Sequence, residues 1–130
     1  MIMRDSRILA VDHVHLEVPP GLREKLIWFY GEVGGLELGP RLGGDIFALR
    51  FRSGPLEIRL REVENPTVDG VDCRLTILVD SLTQTRERLA EAGVTWVDIS
   101  LTLQTDRRLS LLDPAGHRVE LKQHWPFAPL

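Results

Sequence analysis

The chain has 130 residues and a mass of 14.7 kDa, the size of a single domain expected to span 1–130. Apolar residues make up 43% and charged residues 27%, an ordinary globular balance, and a formal charge of −3 gives no reason to expect a nucleic acid or a membrane surface as partner. One cysteine, Cys73, excludes an internal disulfide and a cysteine-based zinc site, and no stretch approaches the ~18 apolar residues of a membrane span.

The first eighteen residues lack the uninterrupted apolar core of a signal peptide, so a reducing, cytoplasmic setting is expected. From 7 to 18 the chain alternates: Val14, Leu16 and Val18 point one way, and His13, His15 and Glu17 the other. Pro19-Pro20-Gly21 ends that strand. Leu22, Leu26, Phe29, Tyr30 and Val33 then share one face at helical spacing, and Gly34-Gly35 is a stop signal. Strands are predicted over 36–42, 45–52 and 56–63, separated by Gly43-Gly44 and Ser53-Gly54-Pro55. The segment from Asn65-Pro66 to Gly70 reads as a connector.

The second half repeats this order. A strand is predicted over 72–79, with Leu75, Ile77 and Val79 on one face and Arg74, Thr76 and Leu78 on the other. Ser81 and Gln84 form a capping box before a helix that buries Leu82, Leu89 and Ala92 and stops at Gly93. Strands follow over 94–99, 107–112 and 117–123, with a tight turn at Asp113-Pro114-Ala115-Gly116. The chain therefore reads as an α+β protein of two βαβββ modules, one over about 7–63 and one over about 71–124. His13-x-x-Leu16-x-Val18 matches Arg74-x-x-Ile77-x-Val79, and Leu56-Glu57-Ile58 matches Val119-Glu120-Leu121. Two such modules share a cupped mixed sheet, with helices on its outer face and a polar surface on the inner one.

The segments VDHVHLEV, LIWFYGEVGGLEL, LEIRL and LDPAGHRVELKQ resemble the glyoxalase/bleomycin-resistance/dioxygenase (vicinal oxygen chelate) superfamily. The resemblance runs over almost the whole chain. It implies a divalent metal (Mn, Fe, Ni or Zn) held by the first and last strand of each module, at positions that here carry His13, Glu57, Arg74 and Glu120. In a lyase, isomerase or dioxygenase of this type the metal polarises a substrate oxygen and a carboxylate such as Glu120 moves a proton. Arg74 departs from the pattern, because a guanidinium cannot donate to a metal and its charge opposes one. His15 or His124, on the cleft-side parity, could take the missing place with a shift of ~6.5 Å along the strand. Alternatively, an arginine–carboxylate pair replaces the metal, with Arg74 orienting an anionic substrate.

Arginines are the other signal. Arg50 and Arg52 share a face opposite Phe47, Leu49 and Phe51, while Arg59 and Arg61 share the face of Glu57. Arg74, Arg118 and Lys122 are also expected on the cleft side. Such a surface is either a lattice of cross-strand ion pairs or a pocket in which guanidinium forks hold a small anionic molecule. Three functions stay open: a metal-dependent enzyme, a metal-free binding (sequestration or resistance) protein, and a domain with a structural or regulatory role. The resemblance also implies a homodimer. Cys73 reads as a small core residue, His117 as solvent-exposed, Trp28 as packing, and His124-Trp125-Pro126-Phe127 as a tail that docks on a partner subunit or caps the cup.

Overall fold

The computed structural model describes residues 6–40, 47–66, 74–100 and 107–123, with the backbone alone at 74, 100 and 107. Strand β1 (His13–Val18) takes up the alternation seen in the sequence. After the prolines, Gly21 turns the chain at a φ of 90°, where a side chain would be strained. Helix α1 begins in α form over Arg23–Leu26 and continues with π spacing over Ile27–Val33. The Gly34 amide reaches back five residues to the Phe29 carbonyl at 2.8 Å, the wide turn that defines this form.

Strands β2 (Glu37–Leu38), β3 (Leu49–Ser53) and β4 (Leu56–Glu62) complete the first sheet, in the order β1-β4-β3-β2. β1 runs parallel to β4, and the other neighbours are antiparallel. The Gly43-Gly44 turn lies outside the described residues. At Ala48 the chain bends, so β3 starts at Leu49, later than the alternation predicts.

The second half repeats the topology with β5 (Arg74–Val79), α2 (Leu82–Glu91), β6 (Val97–Ser100), β7 (Arg107–Leu112) and β8 (Arg118–Gln123), ordered β5-β8-β7-β6. Ser81 caps α2 by accepting from the Gln84 amide at 3.2 Å. The Leu82 amide donates to Gln123 Oε1 at 3.0 Å, which ties the helix start to β8. At the other end the Val94 amide still bonds the Leu89 carbonyl (2.9 Å), so β6 begins only at Val97.

The turn between β7 and β8 corrects one expectation. His117 is not at the surface but 1% exposed. Asp113 Oδ1 accepts from the Ala115 and His117 amides (2.9 and 2.8 Å), closing an Asx turn that aims the imidazole inward. His117 Nε2–H then donates to the Glu17 carbonyl of β1 at 2.6 Å. Beside it the Tyr30 hydroxyl donates to Asp113 Oδ2 at 2.5 Å. Both bonds join module one to module two.

The apolar faces of both sheets form one cluster. Val18, Leu49, Phe51, Ile58 and Leu60 of the first sheet pack with Leu26, Phe29 and Tyr30 of α1, and Leu109, Leu111 and Val119 of the second pack with Leu82 and Leu89 of α2. Among the described residues no helix is long and apolar enough to cross a membrane.

Candidate functional site

The strand register brings the predicted polar residues of module one together. Parallel pairing sets His13 across from Glu57, His15 across from Arg59 and Glu17 across from Arg61. On the other side of β4, Arg50 lies across from Arg59 and Arg52 across from Glu57. Side chains alternate along a strand, so these residues share the face opposite Ile58 and Leu60. His13, His15, Arg50, Arg52, Glu57, Arg59 and Arg61, seven of the residues singled out from the sequence, therefore occupy one surface.

Ion pairs organise that surface. Arg59 Nη2 donates to Glu57 Oε1 at 2.8 Å and to Asp12 Oδ2 at 3.2 Å. Arg50 Nη1 lies 3.8 Å from the same Glu57 oxygen. The hydrogen bond from Arg59, helped by the charges of Arg59, Arg50 and Arg52, holds the Glu57 carboxyl below its ordinary value of 4.5. The Asp12 carboxyl is also lowered, first by its bond to His13 and then by Arg59. His13 Nδ1 contacts Asp12 Oδ2 at 2.9 Å, an arrangement that orients the imidazole and turns Nε2 away from the pair. Arg59 Nε is buried and has no hydrogen-bond partner among the described residues.

Phe47 was placed by alternation with Leu49 and Phe51, on the side away from the arginines. The structure puts it among them. Its ring meets His15 edge-on at 5.0 Å and His13 at 6.0 Å, and the Arg59 and Arg50 guanidiniums lie 5.6 and 5.7 Å from its centroid. The bend at Ala48 breaks the period of two just before β3, and the Gly-rich stretch ahead of it was the only sequence signal for such a break. Asp12 was also missed, although its place beside His13 was a usable cue.

Module two is arranged differently. Glu120 is 3% exposed and receives Arg108 Nη1 at 3.3 Å. Arg108 was not singled out, yet it shares parity with Ser110, which lies across from Glu120. On the parallel side Glu120 faces Thr76, while Arg74 faces Arg118. The sequence match of Arg74 with His13 and Glu120 with Glu57 therefore carries a displacement of two residues, since His13 and Glu57 are directly opposite and Arg74 and Glu120 are not. Arg118 Nε and His117 Nδ1, like Arg59 Nε, are buried without a hydrogen-bond partner among the described residues. Cys73 and the tail from His124 to Phe127 lie outside the described residues.

These donors do not fit a divalent metal. Glu57 and Glu120 already receive guanidinium hydrogen bonds, and a second cation at Glu57 would sit against Arg50 and Arg59. Among the described residues no three His, Cys, Asp or Glu side chains come close enough together to hold a metal ion.

No family model and no curated protein matches the chain. Solved structures do. A Bacillus anthracis protein assigned to the glyoxalase family superposes with a TM-score of 0.81 at 24% identity, covering 92% of this chain and 98% of that one. Lactoylglutathione lyase from Agrobacterium tumefaciens gives 0.71 at 17% identity, with 92% and 98% covered. TnmS3, an antibiotic binding protein from Streptomyces sp. CB03234, gives 0.68 at 23% identity, with 92% and 100% covered.

Proposed function

From the vicinal oxygen chelate fold that this chain shares with those proteins, we propose that it binds a small anionic molecule on the polar face of module one without a metal ion. The observation that carries this reading is Arg59. Its guanidinium is anchored by Glu57 and Asp12, while its buried Nε still lacks an acceptor. The guanidinium hydrogens that Glu57 and Asp12 leave unused would hold a carboxylate or phosphonate oxygen with a charge-assisted bond. Arg52 and Arg61, which make no ion pair among the described residues, add positive charge at the rim.

Phe47 favours a planar ligand, because its ring offers an apolar wall beside the cations. His13 and His15 flank that wall and supply hydrogen bonds to polar substituents. The fold neighbours include an antibiotic binding protein, so ligand capture is a role this scaffold supports. A homodimer in the cytoplasm, with the cup completed by the second copy, belongs to the same proposal.

The test is calorimetric titration of the metal-stripped chain with benzoate and phenylphosphonate in the presence of a chelator. Saturable binding is expected, weakened about tenfold by Arg59→Ala, the loss of one charge-assisted contact. Thermal shifts with Mn, Ni or Zn should be absent. Binding that appears only after a metal is added would overturn the proposal in favour of a metal-dependent lyase or dioxygenase.

A further inference from the structure

We infer that the chain carries a second binding site, on the apolar side of the second sheet, for a small amphipathic anion such as a medium-chain carboxylate. A cavity of about 560 Å3 lies there between α1, α2 and the sheet. That volume is within the range of roughly 300–1,000 Å3 typical of small-molecule sites. It is on the face opposite Glu120 and is lined by residues of both modules, so it is separate from the polar face of module one.

The hollow follows from unequal cover. In the first sheet Val18 and Ile58 are buried. The corresponding side chains of the second, Val79 and Leu121, remain half-exposed and line the cavity together with Ile77. Helix α2 contributes only Leu82 and Leu89 as buried side chains, too little to cover that sheet. Phe29 and Val33 of the π-wound part of α1 form the facing wall.

Arg88 supplies the charge at the cavity edge. Its Nη1 donates to the Val33 carbonyl at 3.3 Å, and it makes no ion pair among the described residues. The remaining guanidinium hydrogens are therefore available to a carboxylate. Asp80 also lines the cavity, so a single negative charge placed at Arg88 suits the site better than a dianion. The Tyr30 hydroxyl is committed to Asp113 and offers only its ring.

The test compares decanoate, decanol and decyltrimethylammonium, titrated calorimetrically into the full chain below their micelle concentrations. Decanoate should bind saturably and more tightly than decanol, and the cation should not bind. Arg88→Gln should weaken decanoate about tenfold and leave decanol unchanged. Ile77→Trp and Val33→Trp, which fill the cavity from opposite walls, should abolish both, whereas Arg59→Ala on the polar face should change neither. The inference is overturned if decanoate does not saturate, or if Arg59→Ala rather than Arg88→Gln removes binding. It is also overturned if Ile77→Trp dissociates a dimer, because the cavity wall would then be an interface between copies. Should both tryptophan variants fail to fold by circular dichroism, Arg88→Gln alone decides.

Discussion

Glu57 receives one guanidinium at hydrogen-bonding distance and lies near a second, and this arrangement changes what its carboxylate can do. A group so paired stays ionised to lower pH than a free one and is a poor ligand for a further cation. Folding lowers the Glu57 and Asp12 values, so their contribution to stability is present above the unfolded carboxylate range and is lost as pH falls through the folded values. Arg59→Ala should therefore return the Glu57 carboxyl toward 4.5, read from its carboxyl carbon shift in a pH titration. A Glu57 titration unchanged by that substitution would show that Arg59 does not control it. At the same scale, the Asx turn at Asp113 aims the His117 ring inward, where Nε2–H donates to the Glu17 carbonyl while the buried Nδ1 has no hydrogen-bond partner among the described residues.

Helix α1 is where local sequence and structure diverge most instructively. Leu22, Leu26, Phe29, Tyr30 and Val33 fit an ordinary helical stripe, yet the chain takes π spacing from Ile27 and exits through Gly34. A Cβ at Gly34 would stand 2.7 Å from the Tyr30 carbonyl oxygen and 3.2 Å from that of Phe29. Gly34→Ala should thus destabilise the domain by about 1–3 kcal/mol, measured by urea unfolding. Gly54→Ala, where nothing lies within 4 Å, should cost only the strain of its positive φ, about 1 kcal/mol. A neutral Gly34→Ala would mean that the wide turn relaxes freely.

The elements themselves were legible because period and punctuation agree: β7 runs over the predicted residues, and the caps at Ser81 and Gly93 fall where expected. Face assignment on β1 and β4 was legible for the same reason. What escaped depended on geometry that no local pattern encodes. The bend at Ala48 swings Phe47 to the polar face, and the inward His117 depends on a backbone carbonyl a hundred residues earlier in the chain. The register of β5 on β8, which sets Thr76 rather than Arg74 opposite Glu120, is likewise a property of the pairing and not of either strand alone.

Across the whole molecule the two modules are joined by the Tyr30–Asp113 and His117–Glu17 bonds and by one continuous apolar cluster. Tyr30→Phe leaves a buried carboxylate oxygen without its donor and should cost about 2 kcal/mol, seen as a lower thermal midpoint. Burial first, and Asp113 second, raise the Tyr30 hydroxyl well above the ordinary 10.0. The folded chain then keeps a proton that the unfolded chain releases. Stability from this group is complete below about pH 10 and declines as pH rises beyond it. Tyr30→Phe should remove that alkaline decline, and an equal slope in both proteins would count against the bond as the link between modules.

The central claim is that module one holds an anion through its own guanidiniums and needs no metal to do so. It is tested most directly by following the arginine Nε–H and histidine ring resonances of the metal-stripped chain while benzoate is added under chelator. The account predicts saturable shifts at Arg59 Nε–H and at His13 and His15, with Phe47 ring signals moving in step and Arg88 unaffected. Unchanged Arg59 and histidine signals, or shifts that arise only once Mn, Ni or Zn is supplied, would contradict it.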